Sequence, residues 1–266
     1  MNGSCRIITV ANQKGGVGKT TTAYNLGHAL SVCGKRVLLV DADPQANLTR
    51  CMDVESPDTL EISMADLLPL TLEENELPLP EEYIISNGKV DCIPSNMELA
   101  ATEINLRNEI GGSNAISLLL NPLKDQYDYM IIDTNPSLGL LTVNALTACN
   151  SVIIPVTPQL WSVTGLSDLI SNIVRTKRML NPAIKIEGIL FTICDQRTTL
   201  FRDITKWIRE DYGDQLRIFN SIIPSAASVG KANSASASIL EYEPAHKAAS
   251  AYRELAKEVL CYGNAR

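Results

Sequence analysis

The chain has 266 residues, of which 45% are hydrophobic and 20% charged, and its formal net charge is −7. It holds no run of about 18 apolar residues, which argues against a membrane-spanning helix, and its acidic balance argues against a chain that is basic all over. We therefore expect one soluble domain over residues 1–266, long enough to bury a full central sheet.

The few histidines and the scattered cysteines narrow the kinds of site that the chain can hold. His28 and His246 lie far apart in the sequence, so we expect no zinc site. The seven cysteines include no C-x-x-C pair, and the first residues lack the charged region and long apolar core of a secretory signal. We therefore expect a cytoplasmic protein with reduced thiols.

Short apolar runs alternate with helical patterns along the chain. We predict strands at 6–11, 36–43, 129–134, 151–157 and 186–193. We predict helices at about 20–33, 96–109, 138–149, 164–180, 199–211 and 246–260. Apolar strands that alternate with helices are typical of a parallel sheet covered on both faces. The predicted fold is α/β, a doubly wound, mostly parallel β-sheet with helices on both faces.

One segment, residues 69–89, departs from this alternation. It contains three prolines and five glutamates, a composition that interrupts both helical and strand patterns. We interpret it as an acidic, proline-rich surface insertion, with a short strand at 83–85, rather than as a second domain.

The stretch NQKGGVGKTT, residues 12–21, follows the first strand and opens the first helix. The usual phosphate-binding loop reads G-x-x-x-x-G-K-[ST]. Here Gly18, Lys19 and Thr20 supply its second half, whereas Gln13 takes the place of the first glycine and Lys14 follows it.

This loop predicts binding of ATP with Mg²⁺. Backbone N–H groups from 15 to 21 can converge on phosphate oxygens at the positive end of the helix. Lys19 can reach the β- and γ-phosphates, and Thr20 can place its hydroxyl on Mg²⁺. The predicted nucleotide-binding residues of the loop are Gly15, Gly16, Val17, Gly18, Lys19, Thr20 and Thr21.

Carboxylates follow two of the predicted strands, at the sheet edge where open α/β sheets bind ligands. Asp133 ends an apolar strand, as a Walker B aspartate does, and can support Mg²⁺ directly or through water. Asp41 and Asp43 alternate around Ala42, so in an extended backbone both point toward one γ-phosphate. The alternative for one of these two aspartates is a cap of the segment that follows.

The motif K-G-G-V-G-K-T-T resembles the deviant Walker A motif of the ParA/MinD superfamily, and D-x-D-P-Q-x-N after the second strand is similar to its ParA branch. The resemblance runs from about residue 6 to 260 and is strongest with the Soj-type proteins, so we expect no N-terminal helix-turn-helix domain. Further segments that carry it are IPSNMELAATEI (93–104), IIDTNPSLGLLTVNAL (131–146), GILFTICDQRTTL (188–200) and AYRELAKEV (251–259).

The resemblance implies a homodimer that sandwiches two ATP molecules. By this match Lys14 crosses to the nucleotide of the partner subunit, Asp43 positions the attacking water, and Asp41 lies near Mg²⁺ and the γ-phosphate. The implied catalytic residues are Lys14, Lys19 and Asp43, the implied metal site is Thr20, Asp41 and Asp133, and the implied adenine contacts are Thr192 and Pro224. The sequence departs from the family at Asn135, where a proline is usual, and at Ser225 and Ser228, where arginines are usual.

The family also implies non-specific DNA binding by the ATP dimer and a ParB-type activating partner, which together place the protein on the nucleoid. The partner's basic N-terminal segment would suit an acidic protein. We expect it to dock at the helix 96–109, which holds Glu98, Glu103 and Glu109, or at the helix 138–149. For DNA, the predicted helix at 199–211 separates an apolar face from a basic one at 100° per residue. The predicted DNA-binding residues are Arg197, Arg202, Lys206 and Arg209, and the alternative is an ordinary solvated helix face.

Three other functions within the superfamily remain open from the residues. A MinD-like membrane ATPase would end in a basic amphipathic tail, which the last predicted helix does not resemble. An iron–sulfur ATPase needs cysteines beside the dimer axis, whereas Cys149 and Cys194 fit small buried apolar positions. A metabolic ligase that activates a carboxylate has no need of the D-x-D-P-Q motif. Within partition ATPases, the sequence does not distinguish a chromosome, a plasmid or another cargo.

Overall fold

In the computed structural model, which describes residues 5–73, 76–159 and 161–264, one sheet contains all the strands. The strands are β1 Arg6–Val10, β2 Val37–Ala42, β3 Ile85–Ser86, β4 Asp91–Ile93, β5 Tyr129–Thr134, β6 Ser151–Val156, β7 Lys185–Cys194 and β8 Ile218–Pro224. Their order is β3-β4-β2-β5-β1-β6-β7-β8. Every neighbouring pair is parallel except β3 and β4. The predicted doubly wound, mostly parallel sheet is confirmed.

Helices connect the strands and cover both faces of the sheet. They are α1 Lys19–Val32, α2 Asn47–Cys51, α3 Met64–Leu70, α4 Pro80–Tyr83, α5 Leu99–Leu106, α6 Ala115–Leu120, α7 Leu140–Ala148, α8 Trp161–Met179, α9 Thr199–Tyr212, α10 Ala227–Ser234, α11 Ile239–Tyr242 and α12 Lys247–Asn264. Two 3₁₀ turns lie at Pro57–Thr59 and Asn121–Leu123. None of the helices in the described part of the chain is long and apolar enough to cross a membrane.

Alternate residues of the central strands face opposite hydrophobic clusters. Leu38 and Val40 of β2 belong to the hydrophobic cluster that includes residues of α3 and of α5 through α9. Leu39 belongs to the cluster that includes residues of α1, α2 and α10 through α12. Such alternation follows from the two-residue period of a strand, and burial on both faces explains why the strands read as continuous apolar runs. The central strands are therefore fixed in register from both sides.

The sequence did not predict two of the strands or several short helices. β4 has only three residues, and β8 places polar residues at Asn220 and Ser221 before it ends at Pro224. Neither strand carries the long apolar run that identified the others. The helices α2, α3, α4, α6, α10 and α11 have four to eight residues each, too short for a helical period to show.

The interpretation of 69–89 as a surface insertion of a single domain stays a prediction. In the described parts of this segment, Tyr83 is buried and Leu72, Leu77 and Ile84 pack against the core. The short strand lies at Ile85–Ser86 rather than at 83–85, antiparallel to β4. These contacts pack apolar side chains of the segment against one of the two hydrophobic clusters that cover the sheet.

Candidate nucleotide site

The phosphate loop between β1 and α1 is held from two neighbouring strands. Asn12 donates its side-chain amide to the Pro155 carbonyl at 2.7 Å and accepts the backbone N–H of Lys14 at 3.0 Å. The hydroxyl of Thr192 donates to the Val17 carbonyl at 2.8 Å. Within the loop, Gly16 and Gly18 have φ angles of 72° and 79°, a conformation in which a Cβ atom would be strained. The loop is therefore shaped before a ligand arrives.

A cleft of about 750 Å³ opens above this loop. The predicted residues that line it are Gly15, Gly16, Gly18, Lys19, Thr20, Thr21 and Asp43. The sequence did not single out the other side chains of the lining, among them Gln45, Asn47, Arg50, Ile193, Asn233, Ser234 and Ser236. The cleft lies at the carboxyl ends of β1, β2 and β5, where ligands bind in sheets of this type.

Lys19 lies on the floor of the cleft with only 7% of its surface exposed. Its ammonium group donates to the Lys14 carbonyl at 3.3 Å. Burial lowers its pKa, and the nearby carboxylates of Asp133 and Asp43 oppose that shift. A buried cation at a helix N-terminus, with open space above it, is suited to anionic phosphate groups.

Asp133, at the end of β5, is fully buried, and neither carboxylate oxygen has a hydrogen-bond partner among the described residues. Burial raises its pKa well above the usual range, the adjacent Asp41 raises it further, and the Thr20 hydroxyl and Lys19 oppose the shift. Buried carboxylate oxygens without partners are rare in native proteins. With Thr20 beside them, they fit a hydrated Mg²⁺ ion.

Asp41 is paired with Asp133 across β2 and β5, but its hydrogen bonds go to the protein. One carboxylate oxygen accepts the Thr49 N–H at 2.8 Å and the Thr49 hydroxyl at 2.7 Å, and the other accepts the Asp43 N–H at 3.2 Å. Burial raises its pKa to about 6. Asp41 thus anchors α2, as the capping alternative proposes, and of the two aspartates only Asp43 lines the cleft. A role for Asp41 near Mg²⁺ stays a prediction.

The side chain of Lys14 lies outside the cleft of its own subunit. Its side chain does not line the cleft, and its ammonium group donates to the Gln159 side-chain carbonyl at 2.5 Å. The two lysines of the loop therefore differ in direction, since Lys19 faces the cleft floor and Lys14 reaches toward the loop after β6.

A second, smaller cavity of about 210 Å³ adjoins the cleft. Both predicted adenine contacts, Thr192 and Pro224, line it, although the Thr192 hydroxyl is used by the phosphate loop. Gly18, Thr21, Ile193 and Asn233 line both cavities. Sequence reasoning missed Ile193 because it sits in an apolar strand, and it missed Asn233 because no motif contains it.

The three departures from the family pattern make local hydrogen bonds. Asn135 accepts the hydroxyls of Ser137 and Thr142, both at 3.2 Å, and so ties the loop after β5 to α7. Ser225 donates its N–H to the Cys194 carbonyl at 3.0 Å, and the Ser228 hydroxyl donates to Glu243 at 3.1 Å. Asn135 and Ser228 thus form hydrogen bonds through their side chains, and Ser225 forms one through its backbone.

The helix α9 separates its two faces as the sequence predicts. Its apolar residues Phe201, Ile204 and Ile208 are buried, and the exposed residues of its basic stripe are Arg202, Lys206 and Arg209. Acidic neighbours reduce the charge of part of this surface. Arg197 makes two bonds to Asp195, at 2.9 and 2.8 Å, and Lys206 lies 3.7 Å from Glu210. Binding of DNA by these residues stays a prediction.

Comparison with known proteins places the chain in a family. A model of the AAA domain family matches residues 5–186. The chain is 39% identical to the sporulation initiation inhibitor protein Soj of Bacillus subtilis over 258 residues, which is 97% of this chain and 99% of that protein. It is 35% identical to the chromosome partitioning protein ParA of Caulobacter vibrioides, over 96% of this chain and 94% of that protein.

Solved structures agree with this assignment at the level of the fold. The chain is similar to cobyrinic acid a,c-diamide synthase from Mycobacterium smegmatis with bound ADP and magnesium. The TM-score is 0.83 at 35% identity, and the match covers 96% of this chain and 94% of that one. The same protein has been solved with an ATP analogue and magnesium. The chain belongs to the ParA/Soj-type family of P-loop ATPases within the ParA/MinD superfamily.

Proposed function

We propose that this protein is an ATP-dependent, dimerising partition ATPase that turns over slowly until a partner stimulates it. The observation that carries the proposal is the meeting of Lys19, Thr20, Asp43 and Asp133 around one preformed phosphate loop. The names of its relatives, Soj and ParA, supply the class of biological role.

In this proposal the cleft binds ATP together with Mg²⁺. The triphosphate lies along the N–H groups of the loop, with Lys19 at the β- and γ-phosphates. Thr20 and Asp133 hold Mg²⁺, Asp133 directly or through water, because their oxygens lie together and those of Asp133 have no partner among the described residues. When bound, Mg²⁺ neutralises charge that develops on the phosphates during transfer.

Asp43 is the group that positions the attacking water. One of its carboxylate oxygens accepts the Gln45 N–H at 2.9 Å, which fixes the orientation of the carboxylate at the cleft wall. A water held by this carboxylate attacks the γ-phosphorus, the bond from that phosphorus to the β–γ bridging oxygen breaks, and ADP and phosphate leave. The positioning of water and charge supplies most of the catalysis in reactions of this kind.

Lys14 extends the proposal from one subunit to two. Lys14 does not line its own cleft, and in this proposal its ammonium group contacts a nucleotide bound in a facing copy. A cation supplied by the partner makes ATP part of the interface and makes hydrolysis depend on dimerisation. The basic stripe of α9 would then appear twice on one dimer, which favours non-specific binding to DNA.

The remaining features of the proposal are supported only by its similarity to a chromosome partitioning protein. A ParB-type protein or an equivalent activator stimulates turnover at the dimer edge, and ATP-bound protein collects on the nucleoid in the cytoplasm. The cycle of attachment and partner-triggered release then positions a plasmid, a chromosome region or another cargo.

Measurement of nucleotide affinity tests the site itself. Wild-type protein should bind ATP in the presence of Mg²⁺, and Lys19→Ala should weaken binding at least about tenfold, because a buried charge-assisted contact to phosphate is lost. Lys185→Ala is the matched control, since Lys185 is an exposed lysine at the start of β7. Full ATP affinity in Lys19→Ala would show that the loop has been assigned wrongly.

One observation favours a second candidate, a metabolic enzyme that uses ATP to activate a carboxylate. It is the 35% identity to a protein described as cobyrinic acid a,c-diamide synthase. Such an enzyme would need a carboxylate co-substrate for ATP turnover and would not bind DNA. The D-x-D-P-Q motif has no use in that chemistry, and ATP hydrolysis without any co-substrate would decide for the partition ATPase.

A further inference from the structure

The end of β7 carries a bulge at the junction of the two cavities. Phe191 pairs with Ile222 and Cys194 with Pro224, so β7 advances three residues while β8 advances two. Within that step Ile193 has a φ angle of 55°. For a β-branched residue this left-handed conformation is a strained outlier that persists only where the surrounding structure imposes it.

The bulge turns one apolar side chain out of the core. The neighbours Phe191, Thr192 and Cys194 have exposed fractions of 0%, 1% and 3%, whereas Ile193 has 44%. The Ile193 side chain lines both cavities and approaches the phosphate loop at Gly18. Bulges commonly redirect a side chain beside a functional site. Ile193 therefore contributes little to the core, and its side chain is instead placed where a ligand in the cleft would contact it.

Asn233, on the last turn of α10, lies across the same junction. Its amide nitrogen donates to the Thr21 hydroxyl at 3.2 Å, which ties α10 to the first turn of α1. Its carbonyl oxygen is buried and has no hydrogen-bond partner among the described residues. An unsatisfied buried acceptor is costly, and a hydroxyl group that enters the junction can supply the missing donor.

The order of the two cavities indicates which part of a nucleotide meets these residues. Phosphates belong to the larger cleft, which contains the loop and Lys19, and the smaller cavity is lined mainly by apolar groups such as Ile223, Pro224 and Val229. A nucleoside triphosphate that spans both must place its sugar and the near edge of its base at the junction.

We propose that Ile193 and Asn233 form a nucleoside clamp, in which Ile193 packs against the base and Asn233 accepts a hydrogen bond from a ribose hydroxyl. This inference rests on the proposed nucleotide site and adds to it the residues that select a ribonucleoside. Both are positioning residues. The strain at Ile193 is then retained because the side chain it presents binds ligand.

The first test compares stability with affinity in Ile193→Gly. Glycine adopts a positive φ without strain, so the thermal midpoint should rise by about 2 °C while ATP affinity falls about fivefold to tenfold through lost apolar contact. Asp53→Gly is the matched control, because Asp53 also has a positive φ, 67°, but lines neither cavity. It should gain stability with unchanged ATP affinity. A merely structural Ile193 would lose stability and keep its affinity.

The second test compares ligands by calorimetry in the presence of Mg²⁺. Wild-type protein should bind ATP about threefold to tenfold more tightly than whichever of 2′-deoxy-ATP and 3′-deoxy-ATP lacks the bonded hydroxyl. Asn233→Ala should bind ATP only as tightly as wild-type protein binds that deoxy analogue, and it should bind ATP and the analogue with equal affinity. Asn233→Asp keeps an acceptor and should retain the preference.

Tripolyphosphate separates failure of the clamp from failure of the site. Ile193→Gly and Asn233→Ala should bind tripolyphosphate as tightly as wild-type protein does, because tripolyphosphate has no nucleoside for the clamp to contact. If wild-type protein binds neither ATP nor tripolyphosphate, the proposed nucleotide site is wrong. If it binds both, and ATP affinity and sugar preference are unchanged in Ile193→Gly and Asn233→Ala, the site stands and the clamp is wrong.

Discussion

Burial sets the protonation of single residues on both sides of the sheet. His28, on α1, is nearly fully buried, and burial lowers its pKa to about 4, with Lys89 acting in the same direction and Glu241 opposing it. Its ring lies 3.5 Å from Glu241 and 3.3 Å from the Asn87 amide. The imidazole is therefore neutral in the folded protein at physiological pH.

This residue predicts a loss of stability in mild acid. Between pH 6.5 and about 4 the unfolded chain binds a proton at His28 and the folded protein does not, so the free energy of unfolding falls as pH falls. Relative to wild type, His28→Gln should remove about 1.5 kcal/mol of this loss between pH 6.5 and 5, measured as urea midpoints. Protonation of Asp41 in this pH range changes the free energy of unfolding in the opposite direction. The measurement is therefore the difference in urea midpoint between wild type and His28→Gln at each pH. Equal pH profiles would contradict it.

The residues that the sequence could identify are those of local motifs. The loop from Gly15 to Thr21 and the aspartates after β2 and β5 are short patterns, and the structure brings most of them into one cleft. The contacts that give Asp41 and Lys14 their directions join residues far apart in the chain, as between Lys14 and Gln159. No local pattern shows such pairs, and the same holds for Ile193 and Asn233 at the cavity junction.

At the scale of the element, the basic residues on α9 and just before it differ in their neighbours. Arg197 and Lys206 have acidic partners at 2.8 and 3.7 Å, while Arg202 bonds only to the Arg197 carbonyl, at 3.4 Å, among the contacts of the described residues. We therefore expect Arg202 and Arg209 to contribute more to DNA binding than Arg197 and Lys206.

The test uses Asp43→Ala, which should hold ATP without turnover, on random-sequence duplex DNA across a salt series. Arg202→Ala with Arg209→Ala would remove two contacts per subunit and four per dimer, and should lower the slope of log K against log salt by about 3 to 4. The control is Lys124→Ala with Lys185→Ala, which removes the same charge from positions outside α9. If the two double variants show equal slopes of log K against log salt, the DNA-binding surface does not include Arg202 and Arg209.

Length and burial decide which elements the sequence could predict. β2, β5, β6 and β7 are long runs buried on both faces, and amphipathic α9 has a clear helical period, so these were predicted within a few residues. β4 and the short helices are too short to show a period, and long-range packing fixes them instead. β8, at the far edge, pairs on one side only, which tolerates the polar residues that concealed it.

At the scale of the whole molecule, the sheet order brings three loops to one edge. β1 lies between β5 and β6, and β2 lies beyond β5, so the segments after β1, β2 and β5 meet at the carboxyl ends of parallel strands. The phosphate loop, Asp43 and the loop containing Asn135 and Pro136 thus share a boundary of the cleft. A copy of the protein that faces this edge would meet both the nucleotide and Lys14.

The dimer is tested by separating binding from association. Lys14→Ala should bind ATP as tightly as wild type, because Lys14 does not line its own cleft, but it should stay monomeric and fail to hydrolyse ATP. Asp43→Ala should do the opposite and accumulate as an ATP-bound dimer, since its contacts remain while water is no longer positioned. Light scattering with and without ATP measures both masses.

Gln159 supplies a further control, because the bond that it accepts from Lys14 at 2.5 Å competes with any bond from Lys14 to a partner's nucleotide. Gln159→Ala should form the ATP dimer at lower protein concentration than wild type, and Gln159→Glu, which adds an opposing charge, at higher concentration. A Lys14→Ala protein that dimerises with ATP would exclude the lysine as the link between subunits. Unchanged dimerisation in both Gln159 variants would mean that the bond between Lys14 and Gln159 does not compete with dimer formation. If Lys14 is the link, the extra lysine of the phosphate loop and the side chain at 159 together set the concentration at which ATP joins two copies.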